Sequence, residues 1–162
     1  EKVSAFLKKA GTIIFSVVVL IWVLANLPVG VEYASAQSFI GRFGQLMAPI
    51  FEPLGFGNWQ AASSLIFGIL AKEVVVGTLG VVYAVGEGGL RTVLSTQFSP
   101  LAAYSFMVMV LIYTPCIATL GTIKSETSSW KWPIISAVYL FILAWFVSFI
   151  IYQGGLFLGI GV

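Results

Sequence analysis

Between Ala61 and Val85 the chain is largely apolar, and its only charged residues are the adjacent Lys72 and Glu73. A charged side chain at the centre of a bilayer costs about 2.5 to 3.5 kcal/mol on insertion scales, so something must offset the pair. Neighbours on a helix point about 100° apart, and neither residue has a charge three or four positions away. Their partners must therefore come from another segment or from water in a cavity. That arrangement suits an ion or solute path, and it also suits a buried pair that only holds neighbouring helices together. Gly77 and Gly80, with Thr78, Ser63 and Ser64 nearby, allow the helix to break or another backbone to come close.

A second chemical position is Pro115-Cys116, inside another apolar run. The proline removes a backbone donor and displaces the carbonyl four residues back, so the helix must kink or unwind. Carbonyls freed near Ile112 and Thr114 then lie beside a thiol. A thiolate is a soft ligand suited to ferrous iron, zinc or copper(I), and carbonyls and hydroxyls could complete a weak transit site. The same pair also reads as a kink filled by a small buried side chain. One cysteine cannot make a tight cage. Glu126 and Lys124, near a helix end, read most simply as a solvated interface pair.

Several classes are excluded within this chain. With no histidine and no aspartate there is no Asp/His dyad and no histidine-rich metal site. No Gly-x-Ser-x-Gly elbow and no Gly-x-x-x-x-Gly-Lys-Ser/Thr loop is present, so neither serine hydrolysis nor nucleotide triphosphate binding is expected here. A formal charge of +2 over 162 residues argues against a nucleic-acid partner.

The elements that must carry these residues follow from composition. At 59% hydrophobic, 9% charged and a mean hydropathy of +1.04, the chain belongs in a bilayer. The N-terminus places basic residues before an apolar run that continues to Val29 without a small-residue cleavage pattern, which reads as a retained helix. Beginning at Glu1, the chain is expected to be a fragment or a processed product. Helical spacing and length predict a spanning helix over 10–29, an interfacial helix over 38–51, a gate helix over 61–85, a proline-kinked spanning helix over 101–123 and a last spanning helix over 133–152. The interfacial helix draws its apolar face from Phe39, Ile40, Phe43, Leu46, Met47 and Ile50, with Pro49, Glu52 and Pro53 cutting it off. The stretch after Tyr83 reads as a loop holding one or two amphipathic turns. The expected fold is an all-α polytopic bundle of three or four spanning helices, a broken or re-entrant helix and one interfacial helix. Letting 61–85 enter and leave on one face returns Lys124 and Lys131 to the side of Lys8 and Lys9, which improves the positive-inside balance.

Two blocks, GFGNWQAASSLIFGILAKEVVVGTLGVVY and YSFMVMVLIYTPCIATLGTIKSETSSWKW, closely resemble the C-terminal membrane region of the ferrous-iron transport protein B family. The likeness runs from about Phe51 to Trp132 and is similar to the second of two gate-type repeats. It implies a bacterial, multi-pass inner-membrane permease region for ferrous iron, without enzymatic activity of its own. The family's GTPase domain and first gate repeat would lie upstream in the full-length protein, where GTP and Mg²⁺ would bind. It implies no tightly held cofactor, with Fe²⁺ as substrate. Cys116, Glu73 and Glu126 would contact the ion in transit, and Lys72, Thr114, Pro115, Thr119 and Gly77 would form the gate and ion path. The implied partners are the lipid bilayer, the ion and the rest of the same protein, with a homo-oligomer as an option and no nucleic acid. The rival expectations are a gate domain for another solute, such as a nucleoside, and a structural membrane subunit.

Overall fold

The computed structural model describes residues 35–69, 72, 74–83 and 87–159, with scattered positions between 12 and 27 that are mostly helical. Among them the regular structure is all helical. Half of the run expected to span at 10–29, and Glu73, lie outside the described residues.

Helix α1, Phe39–Phe51, starts where the Ser38 hydroxyl accepts from the Gly41 amide at 3.2 Å. Its buried face is Ile40, Gly41, Gly44 and Phe51. Gly44 lets helix α2, Trp59–Gly68, come close: a methyl on it would collide with the Ser63 hydroxyl and the Trp59 carbonyl, whereas Gly41 seats the Ser35–Ala36 backbone. Ser63 Oγ donates to the Ile40 carbonyl at 3.0 Å across this contact. Phe39, Phe43, Leu46 and Ile50 form an exposed row. The expected single apolar face is thus divided between a protein side and an outer side. Pro49 does not end α1, because it lies in the last turn, where its missing donor deprives only the exposed Gln45.

A 3₁₀ turn, Glu52–Leu54, leads to α2, and α3 (Val74–Val82) packs back on α2. Helix α4, Glu87–Gln97, is longer than the one or two turns expected. Leu90, Leu94 and Phe98 recur every four residues and join the core, which overrides the poor propensity of Gly88 and Gly89. Helix α5, Pro100–Ile112, has Ser99 as its N-cap and Pro100 in its first turn. Helices α6 (Ile117–Thr127) and α7 (Lys131–Phe157) are the last of the described elements.

Helix α7 lies against α5, α6 and the 3₁₀ turn. Ser105 and Ser148, both fully buried, each donate to the other's backbone carbonyl at 3.1 and 3.2 Å. Trp145 and Gln153 reach the carbonyls of Ile50 and Pro53 at 2.9 and 2.8 Å, tying α7 to the end of α1. Phe51, Phe56 and Phe106 stack through the core, with Phe56 and Phe106 edge to face at 5.2 Å.

The expectation of three or four spanning helices is corrected here. Among the described residues only α7 is long and apolar enough to cross a bilayer. At 1.5 Å per residue its 27 residues reach about 40 Å, whereas the 13 of α5 reach about 20 Å against a hydrocarbon core of about 30 Å. The apolar runs over 61–85 and 101–123 are each interrupted, the first at the turn residues 69 and 72 and the second at 113–116, so run length overstated helix length. Ile134, Val138, Tyr139, Ile142, Phe146 and Ile150 of α7 stay exposed, an outer face suited to lipid.

Candidate functional site

The two interrupted runs meet at their breaks. Pro115 has no amide hydrogen, so the Leu111 carbonyl, four residues earlier, has no helical donor at position 115. The last turn of α5 closes with the Tyr113 amide on Met109 O at 2.9 Å, and Tyr113 then turns extended at φ −59°, ψ 174°. Lys72, in the gap between α2 and α3, donates from Nζ to Leu111 O at 3.1 Å. A cation is favoured there, because a helix C-terminus carries partial negative charge. The same ammonium lies 5.5 Å from the centre of the Tyr113 ring, within reach of a cation–π attraction.

The converse contact exists as well. The end of α2 tightens, with the Ile69 amide turning to Ile66 O at 3.2 Å. Leu65 O, which would accept from residue 69 in a regular helix, accepts instead from the Tyr113 hydroxyl at 3.2 Å. Each break thus supplies the side-chain donor for a terminal carbonyl of the other broken run. Tyr113 is 1% exposed, and Gly68 makes its seat: a methyl there would collide with the Tyr113 hydroxyl and Val75.

The expected site residues fall in several places. Thr114 is buried, and its hydroxyl donates to Ala137 O of α7 at 3.4 Å, so it braces the break from the opposite side. Cys116 is half-buried and forms the N-cap of α6 without a side-chain capping bond. Its Sγ lies 3.3 Å from Thr119 Oγ1, which brings these two together on the first turn of α6. A sulfur at a helix start is where free amides favour negative charge. Pro115 is partly buried between them. Gly77 is exposed on α3 with nothing near its missing side chain, and so does not join the meeting of the breaks. Glu126 is exposed in the last turn of α6, about 15 Å along the axis from Cys116. Nearby, Lys124 Nζ stands 4.2 Å above the Trp130 ring. Among the described residues no three His, Cys, Asp or Glu side chains could share a metal ion.

Three contributors were not singled out from the residues alone: the Leu111 carbonyl, the Tyr113 hydroxyl and Gly68. Leu111 carried a signal, its position four residues before a proline. Tyr113 and Gly68 carried none, since their roles depend on a contact between distant segments. Beside the Lys72–Leu111 contact opens a cleft of about 400 Å³, lined by Val75, Val76, Leu79, Phe106, Met107 and Val110 among other apolar side chains, with Lys72 the one charged residue among the described lining.

The profile of the Gate family, described as nucleoside recognition, matches residues 7–130. A Fe(2+) transporter FeoB of Staphylococcus aureus (strain MSSA476) is 44% identical over 156 residues, covering 96% of this chain and 24% of that protein. A Fe(2+) transporter FeoB of Methanocaldococcus jannaschii is 46% identical over 160 residues, covering 93% of this chain and 24% of the relative. A Fe(2+) transport protein A/Fe(2+) transporter FeoB fusion protein of Porphyromonas gingivalis is 34% identical, with 96% and 24% covered. The chain therefore spans about a quarter of the length of these curated relatives. No solved structure matches it. The match over residues 7–130 and the similarity along nearly its whole length show that the chain belongs to the Gate family and is homologous to a part of the FeoB transporters.

Proposed function

We propose that this chain forms part of the ion path and gate of a ferrous-iron transporter, as the second gate repeat of a longer FeoB-type protein in the cytoplasmic membrane. The observation that carries the reading is the meeting of two interrupted helical runs, joined by Lys72 on Leu111 O and Tyr113 on Leu65 O. Broken helices leave backbone carbonyls and helix starts free to meet an ion, and transporters use them for that purpose. Ferrous iron is the substrate suggested by relatives named Fe(2+) transporter FeoB. The ion would shed water and pass the Cys116 thiol and neighbouring carbonyls. Thr114, Pro115 and Thr119 would shape that passage, Glu73 would lower its electrostatic barrier, and Glu126, exposed near the end of α6, would attract the ion from outside. A GTPase domain and a first gate repeat elsewhere in the full-length protein would regulate or power the passage, with GTP and Mg²⁺ bound there.

The description of the matching family favours a second reading, a nucleoside gate. The described lining of the cleft beside Lys72 is almost entirely hydrocarbon, without the convergent polar groups that hold a ribose and a base. The experiment is uptake by cells lacking their own ferrous-iron and nucleoside importers and expressing the full-length protein. Accumulation of ferrous iron supports the first reading; accumulation of nucleoside without iron replaces it with the second.

A further inference from the structure

Resting on the iron-path reading, we propose that Lys72 is a tethered cation that occupies a backbone-carbonyl site for the transported ion, so that the gate opens when iron takes the place of the ammonium. The Leu111 carbonyl is available because Pro115 supplies no amide, and the structure shows which chemistry it accepts: a positive charge, at 3.1 Å. The aromatic face of Tyr113, at 5.5 Å, adds a second attraction for a cation at the same point. Tyr113 is itself locked by its hydroxyl on Leu65 O and by the tight seat at Gly68, so the site is rigid whether or not the ammonium is present.

Lys72 is built to leave. It is half-exposed, it belongs to no described helix, and its long stem borders the cleft of about 400 Å³ between α3, α4 and α5, where the alkyl part can lie against hydrocarbon. An ammonium on a flexible stem carries one charge and three rotatable donors, whereas a divalent ion carries twice the charge and can take the Leu111 carbonyl while retained water fills the rest of its shell. A partly dehydrated divalent cation thus competes for the carbonyl, and monovalent cations compete poorly with a positive charge held permanently at hand. Lys72 on this account suppresses leak and favours divalent cations.

The test uses the full-length protein in proteoliposomes with ferrous iron held reduced, comparing the wild type with Lys72→Met, which keeps the stem without the charge, and Lys72→Arg, which keeps the charge. Iron leak without GTP should rise about tenfold in Lys72→Met, the worth of one charge-assisted hydrogen bond, and potassium leak should appear. Lys72→Arg should keep both leaks low. Binding of Mn²⁺ as a probe should tighten by a similar factor in folded Lys72→Met protein, a change that a merely structural role would not produce. Leak and Mn²⁺ affinity equal to or below wild type in Lys72→Met would overturn the tethered-cation account while leaving the iron path standing. A wild type that moves no iron with GTP present would overturn both.

Discussion

The Tyr113 hydroxyl donates to the carbonyl of Leu65, 48 residues upstream, at 3.2 Å, and so closes the end of one broken helix with a side chain from the break of another. Together with the return contact from Lys72 to Leu111, this makes the two interruptions a single unit. Neither break is then a local defect that could be repaired without disturbing the other.

Tyr113→Phe keeps the ring in the core and removes only the donor to Leu65. The lost hydrogen bond should cost about 1 kcal/mol, with somewhat more if the carbonyl stays dry. Thermal unfolding of purified full-length protein in detergent should show a lower midpoint, with reduced transport at equal abundance.

Gly68 and Gly77 should respond oppositely to alanine. At Gly68 the added methyl meets the Tyr113 hydroxyl and Val75, so an overpacking cost of about 1 to 3 kcal/mol is expected. At Gly77 the methyl enters open space on a helix, so stability should be unchanged or rise by about 0.5 to 1 kcal/mol. Unfolding midpoints of the two variants check both signs.

Pro115→Ala restores an amide that can bond to Leu111 O in competition with Lys72. Helix α5 should lengthen into α6; the restored backbone bonds offset the loss of the Lys72 and Tyr113 contacts, leaving stability near wild type while transport falls. Parallel thermal melts and uptake assays separate this from simple misfolding, which would lower both.

Ser105 and Ser148 sit at a close crossing of α5 and α7, each with no exposure. Alanine at either position removes a hydroxyl and strands no new polar side chain, for about 0.6 kcal/mol, up to about 1.7 kcal/mol. Leucine at either should force the helices apart and cost several times more, read as loss of folded protein in membranes.

Much of this was legible in the residues. Composition and apolar runs identify an all-helical membrane chain, and the break at Pro115 follows from a local property of one residue. What closes the break is not local: Lys72 needed a partner from another segment, and nothing in its surroundings indicated the Leu111 carbonyl. Hydropathy also cannot separate a face that touches protein from one that touches lipid. The six apolar residues of α1 looked like one face, yet Ile40, Gly44 and Phe51 lie on the buried side while Phe39, Phe43 and Leu46 are exposed. The expected number of spans failed for a related reason, since an apolar run counts residues and does not reveal where the helix within it stops.

The most direct test of the central claim is ferrous-iron uptake by cells expressing the full-length protein with Cys116→Ala, normalised to membrane abundance, beside Glu73→Gln. An ion path through the meeting of the two breaks predicts uptake lost in Cys116→Ala and strongly reduced in Glu73→Gln, with both proteins present at wild-type levels. Wild-type uptake in both would contradict it, and would leave the meeting of the two breaks a packing device with the ion passing elsewhere.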